Sequence, residues 1–324
     1  MRRVVIDAHG APDVMRVVDG PVPEPGDREV LVRVAAAGVN VVDLYQRSGT
    51  YPVRFPFTPG FEGSGVVLRA GPAVSGVAEG DRVAWAGAPG SYATHCVVPA
   101  DRLVPVPDAV DLTDATVALV HGMTAHLLVS DVAPLAAGST CLVHAAAGGV
   151  GGLLCQLATL RGATVIGTVS SPAKAAAARA AGAAHVIDYA RDDFAVRVKE
   201  ITDGRGVDVV YDAVGRDTFS AGLACLRRRG TFVLYGQTSG PVAAVDPQEL
   251  NAKGSLFLTK ASLSHYDTTP AQLLRRAGQV YDHVVAGRLR PRLHGTYPLA
   301  AAAGAHEAIE SRRSVGKVVI SPAL

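Results

Sequence analysis

Four glycines in one short stretch, Gly148, Gly149, Gly151 and Gly152, are the residues with the clearest chemical use. The stretch reads LVHAAAGGVGGLLCQLA; its first apolar residues predict a strand and its last ones a helix. Such a glycine turn lets the backbone approach a pyrophosphate, and the amide groups at a helix start attract anionic oxygens. A turn that only packs well is the alternative, and Ala146 replaces the first glycine of the pattern GxGxxG, but the order strand, turn and helix favours binding. The residues predicted to hold dinucleotide phosphates are Ala147, Gly148, Gly149, Val150 and Gly151.

The residues that follow the next predicted strand indicate which dinucleotide would fit. A free adenosine ribose is usually held by a carboxylate, but no acidic residue occurs between Asp131 and Asp188. Ser170 and Lys174 stand where a 2′-phosphate would lie, and a hydroxyl donor and an ammonium suit such a dianion. A surface lysine on a helix is the alternative for Lys174. The sequence therefore predicts NADPH rather than NADH as the cofactor.

Strands and helices alternate from residue 139 onward at the spacing of βαβ units. We predict strands at residues 140–144, 164–168, 185–187, 207–211 and 231–235, with residues 255–258 as a candidate sixth strand. Predicted helices cover residues 150–161, 172–181, 194–202 and 218–226. The first and fourth strands are apolar runs, which indicates burial on both faces. The fold class expected here is α/β, with a doubly wound parallel Rossmann sheet.

The first third of the chain has a different character, with short strands between glycines and prolines. The predicted strands are residues 4–6, 29–36, 63–70, 81–84 and 91–98. Helical patterns begin near Leu112, and a helix at 270–286 and a strand at 317–320 follow the α/β region. The sequence thus predicts a β-rich unit beside the parallel sheet.

Composition and charge exclude several classes of protein. The chain has 324 residues, of which 48% are hydrophobic and 19% charged, and this suits a folded protein of two domains rather than a disordered one. Its 31 Lys and Arg against 29 Asp and Glu give a net charge of +2, too small to indicate nucleic acid or an acidic membrane as the main partner.

The cysteines and the apolar stretches bear on location. The four cysteines are far apart and form no CxxC pair, which is typical of a reducing compartment, so we expect the cytoplasm. The stretch from Val132 to Leu160 carries no formal charge and is long enough to span a bilayer. Pro134 and the four glycines inside it break that pattern, so we expect no membrane partner.

Seven stretches, in order along almost the whole chain, carry a resemblance to a known family. They are GVNVVDLYQRSGTYP, TPGFEGSGVV, GDRVAW, HAAAGGVG, IGTVSSPAK, VVYDAVGRDT and YPLAAAAGAHEAIESR. The set resembles the zinc-free, zeta-crystallin-like quinone oxidoreductases of the medium-chain dehydrogenase/reductase superfamily. The resemblance implies a GroES-like β-barrel domain built from residues 1–121 and 262–324, with a Rossmann NADPH-binding domain at 122–261 inserted in it. It also implies a homodimer in which the strand near 255–258 pairs across two subunits.

The resemblance further implies roles for single residues. Asn40 and Tyr45 would lie on the nicotinamide side, and Asn40 would donate its amide to ribose or substrate; a turn-stabilising asparagine is the alternative. Tyr51 would face the substrate and donate to the oxyanion that develops there, unless it is only a packed aromatic. The other cofactor contacts that the resemblance implies are Tyr189, Gly215, Gly236, Gln237, Thr259, Lys260 and Lys317.

The positions of the metal ligands in zinc-dependent relatives carry Asn40, Phe61 and Val120 in this sequence. Phenylalanine and valine cannot bind zinc. His121 and His126 lie close together but lack a third ligand, so the sequence predicts no metal. Similar bacterial quinone reductases often carry lysine at the position of His121.

A reductase that lacks a Lewis-acid metal needs an acceptor that is already electrophilic, held against the nicotinamide. The leading hypothesis is therefore NADPH-dependent, zinc-independent reduction of quinones by hydride transfer. An ene reductase of α,β-unsaturated carbonyls is the alternative, because polyketide enoyl reductases resemble this family. A less favoured one is a nucleotide-binding structural or RNA-binding protein of the crystallin type.

Overall fold

The chain contributes its two ends to one structural unit and its middle to another. The computed structural model describes residues 1–323. The first unit contains Met1–His121, Asp267–Gly287 and the segment from Pro291 onward. The second unit contains Gly122–Tyr266 and Arg288–Arg290. The inserted domain that the resemblance implies, 122–261, stops five residues before Tyr266 and does not include Arg288–Arg290.

The N-terminal part of the first unit is mostly strand. Its strands are β1 (Arg2–Val5), β2 (Arg16–Asp19), β3 (Glu29–Val39), β4 (Glu62–Ala70), β5 (Arg82–Ala86), β6 (His95–Pro99) and β7 (Leu103–Pro105). One helix, α1 (Val41–Ser48), follows β3 directly. The amide of Asn40 donates to the Asp43 carboxylate over 2.8 Å at its start, and Gly49 ends it in the left-handed conformation with φ 89°.

A long apolar helix, α2 (Leu112–Leu127), comes next and continues as a π-helical stretch, Leu128–Val132. Among residues 1–323 only this helical segment is long and apolar enough to cross a membrane. Most of it, 72%, is buried inside the protein, as is usual for the core helix of a globular unit. The stretch from Val132 to Leu160 is divided between the end of this segment, a strand, a turn and another helix.

Six parallel strands form the sheet of the second unit. They are β8 (Thr140–Val143), β9 (Thr164–Val169), β10 (His185–Asp188), β11 (Val207–Asp212), β12 (Leu226–Leu234) and β13 (Phe257–Lys260). The helices are α3 (Gly149–Leu160), α4 (Pro172–Ala180), α5 (Phe194–Ile201), α6 (Phe219–Cys225) and α7 (Pro247–Ala252). The strand order is β10-β9-β8-β11-β12-β13, so the chain changes direction across the sheet between β8 and β11. This confirms the predicted doubly wound parallel sheet, in which ligands bind at the carboxyl ends of the strands on either side of that change.

In the second unit, two strands begin at residues other than those predicted. β12 begins at Leu226 instead of residue 231, and β13 begins at Phe257 instead of residue 255. Ser255 cannot belong to the strand because its φ is 56°, in the left-handed region.

The C-terminal part of the first unit completes its sheet. It contains α8 (Pro270–Val285), β14 (Leu293–Pro298), α9 (Ala302–Glu310) and β15 (Lys317–Ser321). The sheet has the order β14-β15-β3-β4-β5-β7, with β6 also paired to β3. β15 lies antiparallel to β3 and parallel to β14, so it is an inner strand flanked by segments that are distant in sequence.

Candidate active site

The glycine turn after β8 has the geometry that a dinucleotide requires. Gly148 caps α3, and Ala145 before it takes a left-handed φ of 54°. A Cβ atom on Gly151 would lie 2.2 Å from the Ala145 carbonyl oxygen, so only glycine lets α3 start this close to the strand. The first amide groups of α3 point out of the helix start, where they can donate to phosphate oxygens. The residues in this turn therefore fit the pyrophosphate of a dinucleotide.

The carboxyl ends of β11 and β12 lie close together beside this turn. A Cβ atom on Gly215 would lie 2.8 Å from the Gly240 oxygen and 3.1 Å from Gln237 Cα, and one on Gly236 would lie 2.5 Å from the Ala213 oxygen. Lys260 at the end of β13 donates from Nζ to Gln237 Oε1 over 2.9 Å. The structure thus brings together the predicted residues Gly215, Gly236, Gln237 and Lys260. Thr259 pairs with Val233 in the neighbouring strand.

Asp212, at the end of β11, stabilises the turn that follows this strand. It is fully buried, and Oδ1 accepts from the amides of Val214 (2.6 Å) and Gly215 (3.2 Å). Its Oδ2 accepts from the Thr218 hydroxyl over 2.8 Å. Sequence reasoning missed Asp212, although an acidic residue that ends a buried apolar strand is a usable signal.

The end of β9 carries the residues expected at a 2′-phosphate. Lys174 Nζ donates to Ser170 Oγ over 3.1 Å, so an ammonium and a hydroxyl lie together at this edge of the sheet. Ser171 caps α4 by accepting from the Lys174 amide. Tyr189 follows β10, its amide bonded to the Val169 oxygen at 3.0 Å and its side chain 43% exposed. A cation and donors at the carboxyl end of β9 fit a phosphorylated ribose.

In the first unit, Tyr45 and Tyr51 meet at the carboxyl end of α1. Their rings pack edge to face with centroids 5.2 Å apart. The backbone amide of Tyr51 donates to the backbone carbonyl oxygen of Tyr45 over 3.0 Å. Tyr51 is 41% exposed, so its ring is accessible to a ligand. The structure therefore brings together the two tyrosines expected on the nicotinamide and substrate sides.

Asn40 belongs to a buried cluster around the ammonium of Lys317. Lys317 Nζ donates to Asn40 Oδ1 at 2.7 Å and to Glu62 Oε2 at 2.5 Å, and it lies 3.3 Å from His121 Nε2. The Asn40 amide nitrogen donates to Glu62 Oε2 and to the Gly38 oxygen. The side chain of Asn40 is therefore engaged within the protein, and donation to ribose or substrate, which the resemblance implies for it, remains a prediction. Lys317 was expected to reach the cofactor, but it is only 1% exposed and has three acceptors of its own.

The three metal-ligand positions of zinc-dependent relatives adjoin this cluster. Asn40 binds Lys317, the Phe61 amide donates to Asp43, and the Val120 amide donates to Glu62 Oε1 over 2.7 Å. Across residues 1–323, His, Cys, Asp and Glu form no group of three that could hold a metal ion. A lysine ammonium thus lies beside Asn40, and the other two positions have no side-chain ligand atom.

His121 is the partly exposed member of the cluster. The Lys317 ammonium can only donate, so His121 Nε2 accepts and the ring hydrogen of the neutral imidazole is on Nδ1. Burial, with the charge of Lys317 as the second cause, holds the pKa of His121 well below its usual value. His121 is therefore neutral, and Nδ1 has no hydrogen-bond partner in the part of the chain that the structure describes.

Asp43 on α1 also belongs to a second buried polar group, together with Tyr92 and His306. The hydroxyl of Tyr92 contacts Asp43 Oδ2 at 3.4 Å and His306 Nε2 at 3.1 Å. Burial raises the pKa of the Asp43 carboxyl to about 7. Burial, with the charge of Arg47 as the second cause, lowers the pKa of His306 to about 3.

Comparison with known proteins places the chain in a family. A model described as "Alcohol dehydrogenase GroES-like domain" matches residues 26–108, and one described as "Zinc-binding dehydrogenase" matches residues 149–276. The quinone oxidoreductase of Pseudomonas aeruginosa is 42% identical over 99% of each chain. A 2-haloacrylate reductase of a Burkholderia species is 40% identical over 98% of each chain. The structure of Escherichia coli quinone oxidoreductase complexed with NADPH covers 99% of this chain and all of that one, with a TM-score of 0.96 and 38% identity.

These matches extend over both units, and the TM-score of 0.96 shows that the comparison structure has the same fold. The name of one family model refers to zinc, but its match, residues 149–276, does not include Asn40, Phe61 or Val120. By full-length identity and fold, the chain belongs to the quinone oxidoreductase family of the medium-chain dehydrogenase/reductase superfamily.

Proposed function

We propose that this protein reduces quinones by hydride transfer from NADPH without a catalytic metal. The observation that carries the proposal is the Lys317 ammonium bound to Asn40, next to two positions, Phe61 and Val120, that lack ligand atoms. A carbonyl that is not polarised by a metal accepts hydride only if it is intrinsically electrophilic. Quinones meet that condition, and a quinone oxidoreductase is 42% identical to this chain over its full length.

The second unit binds and orients the cofactor in this proposal. The turn at Gly148 and Gly151 holds the pyrophosphate, and Ser170 with Lys174 holds the 2′-phosphate. Gly215 and Gly236 let the segments after β11 and β12 pack closely together, and we assign the nicotinamide half of the cofactor to these two strand ends, beside Gln237. When bound, NADPH supplies the hydride from its nicotinamide ring.

The first unit positions the acceptor. Tyr51 is exposed and packs on Tyr45, so its ring is fixed while its hydroxyl can donate to the acceptor oxygen. Asn40 acts by its place in the Lys317 cluster, which fixes the start of α1 and hence the direction of Tyr45 and Tyr51.

Reduction of α,β-unsaturated carbonyls is the second candidate. The relative from the Burkholderia species is named a 2-haloacrylate reductase and is 40% identical to this chain. The same donor on Tyr51 would then hold the carbonyl oxygen while the hydride adds to the conjugated carbon. NADPH binding without any turnover would instead favour a structural or RNA-binding role.

We further propose a cytoplasmic homodimer with no nucleic-acid or membrane partner. β13 is an edge strand of the six-stranded sheet, and Phe257 on it is 58% exposed. An apolar edge strand needs to be paired or covered, and a second copy of the chain would do this. The four buried free cysteines are typical of a reducing compartment.

The test is NADPH oxidation measured against a panel of quinones and conjugated enones, with and without a chelator. We expect turnover with quinones that is insensitive to chelation. Preference for enones would favour the second candidate, and loss of activity with chelator would contradict the metal-free proposal. NADPH binding without turnover on any acceptor would contradict both reductase proposals.

A further inference from the structure

We propose that His121 donates the hydrogen bond, and then the proton, to the carbonyl oxygen of the acceptor. This inference rests on the proposed reduction of a carbonyl acceptor and names a residue for a step that the reaction needs. Hydride transfer to a quinone leaves a hydroquinone monoanion, whose oxygen must gain a proton.

Apart from His121, the cluster around Lys317 has no hydrogen-bond donor that is available to a ligand. The three acceptors around its ammonium, Asn40 Oδ1, Glu62 Oε2 and His121 Nε2, match its three N–H bonds. The amide of Asn40 donates to Glu62 and to the Gly38 oxygen. Lys317, Glu62 and Asn40 are all buried, whereas His121 is partly exposed. A ligand that approaches this cluster therefore meets the ring of His121, whose Nδ1 atom is itself enclosed.

The orientation of the imidazole makes it a donor of defined tautomer. Nε2 faces the Lys317 ammonium, so Nδ1 carries the hydrogen. Nδ1–H is enclosed and has no partner among residues 1–323. A buried donor without a partner destabilises the protein, so a hydrogen bond from Nδ1–H to a ligand oxygen would be favourable. The positive charge on the other side of the ring strengthens this donor, because it draws electron density away from Nδ1–H.

The proton balance is complete within the cluster and water. Nδ1 gives its proton to the acceptor oxygen while Lys317 Nζ gives one to Nε2, so the imidazole stays neutral and changes tautomer. The N–H bond of the lysine breaks, and the amine that remains is paired with Glu62. One proton from water then binds Nδ1 while the Nε2 proton returns to Lys317 Nζ, so the Nδ1–H tautomer and the ammonium are both restored, and the two electrons come with the hydride. The sum is one hydride and one proton added to the acceptor.

Two substitutions separate hydrogen bonding from proton transfer. His121→Leu removes both, whereas His121→Asn keeps an N–H near the position of Nδ1 but cannot pass a proton on. The matched control is His185→Leu, because His185 is exposed at the start of β10, away from the carboxyl ends of the strands. Each variant is measured for kcat and KM with one quinone, for the solvent isotope effect on kcat, for NADPH affinity by fluorescence titration and for its urea midpoint.

We expect His121→Leu to lower kcat at least about tenfold with NADPH affinity near that of the native chain, and to lower the urea midpoint modestly, because Lys317 loses one of its three acceptors. His121→Asn should keep a near-native KM for the quinone but share the loss in kcat, and both variants should show a changed solvent isotope effect. The control should match the native chain. Unchanged kcat in His121→Leu, or a loss that follows NADPH affinity or stability, would overturn the inference.

A readout that needs no turnover accompanies the kinetics. With ¹⁵N-labelled histidine, NMR should show His121 as the Nδ1–H tautomer, and its Nδ1–H signal should shift when a hydroquinone product is added to the NADP⁺ complex. The opposite tautomer, or no shift, contradicts the inference. If the native chain reduces no quinone or enone, the proposed function fails; if it is active and His121→Leu is equally active, only this inference fails.

Discussion

Two lysines show how residue chemistry divides between the units. Lys317 is 1% exposed and surrounded by three acceptors, so its ammonium interacts with groups inside the first unit and not with solvent. Lys174 is partly exposed and lies beside Ser170 at a strand end, where an anionic ligand can reach it. The same side chain is therefore structural in one setting and suited to ligand binding in the other.

Reversing the charge at Lys174 should change cofactor preference. In Lys174→Glu we expect KM for NADPH to rise about 10- to 100-fold, because a hydrogen bond to a charged group contributes about 1.5–3 kcal/mol and a carboxylate repels the 2′-phosphate. KM for NADH should change little. Steady-state kinetics with each cofactor measures this, with Lys199→Glu on α5 as the control for net charge. An equal effect on both cofactors would refute the assignment of Lys174.

The hydroxyl of Tyr51 should matter for chemistry more than for binding. Tyr51→Phe keeps the ring contact with Tyr45 but removes the donor, so we expect kcat to fall about tenfold or more while KM for the acceptor changes less. Tyr297→Phe on β14 serves as the control. A native kcat in Tyr51→Phe would show that the residue acts only by packing.

The strands and helices of the second unit were easier to predict than those of the first. β8 and β11 are buried apolar runs of the length that a parallel sheet needs, and the glycine turn marks the point where a helix must begin. The order of the strands in the sheet was not predicted and is known from the structure. The sequence patterns specified the strands and helices of this unit through local signals.

The first unit shows what local signals leave out. β14 was missed because LHGTYP contains glycine and proline and alternates only weakly in burial, and α9 was missed because its helical face is short. The contact of Lys317 with Glu62 joins residues 255 positions apart, so no spacing rule could find it. The roles carried over from the family, such as that of Asn40, likewise did not indicate that its side chain is bonded internally.

Two neighbouring glycines of α3 provide a matched test of the phosphate turn. A Cβ atom at Gly151 would lie 2.2 Å from the Ala145 oxygen, whereas one at Gly152 would lie 3.8 Å from the Ala146 oxygen. Gly151→Ala should therefore weaken NADPH binding at least about tenfold and destabilise the protein by about 1–3 kcal/mol. Gly152→Ala should be tolerated, because alanine favours a helix by about 1 kcal/mol over glycine. Calorimetric titration and urea unfolding measure both effects, and equal behaviour of the two variants would contradict the proposed turn.

A buried ion pair connects distant parts of the chain within the first unit. The side chains of Lys317 and Glu62 are 1% and 0% exposed, and they connect β15 with β4. Removing one charge of such a pair leaves the other buried without compensation, which is more costly than removing both. The pair therefore couples strands from the two ends of the chain.

Lys317→Met should lower the free energy of unfolding by about 3–5 kcal/mol. Adding Glu62→Gln should recover part of that loss, since no charge then remains buried. The matched control is Arg16→Met, which breaks an exposed pair with Asp7 and should cost less than about 1 kcal/mol. Urea unfolding of the single and double variants gives the coupling energy; additive losses would show that the two charges do not depend on each other.

Stability against acid should depend on His306. Its pKa is about 3 in the folded protein against 6.5 for a free histidine, so the unfolded chain binds the proton more tightly. The stability that this residue contributes is full above pH 6.5 and declines as the pH falls toward 3. The Asp43 carboxyl acts in the opposite sense: its pKa of about 7 lies above the ordinary 3.8, so it lowers stability as the pH rises through that range.

A comparison with His306→Gln isolates the histidine from Asp43. Between pH 7.5 and 5, we expect the native chain to lose up to about 2 kcal/mol more than the variant, because the proton on the unfolded histidine stabilises the unfolded chain by about 1.4 kcal/mol for each pH step of one below 6.5. Urea midpoints at a series of pH values measure the difference. Parallel curves for the two proteins would show that His306 does not titrate differently on unfolding.

The place of β15 between β14 and β3 has a consequence for synthesis on the ribosome. The edge of β3 that β15 covers is translated before the entire second unit, and it must wait for β15 to emerge. During that interval the nascent chain shows an open strand edge and a carboxylate, Glu62, without its counter-ion. A product that stops before Lys317 keeps both defects permanently, so proteases and chaperones can recognise it, and full-length translation is a condition for a closed first unit.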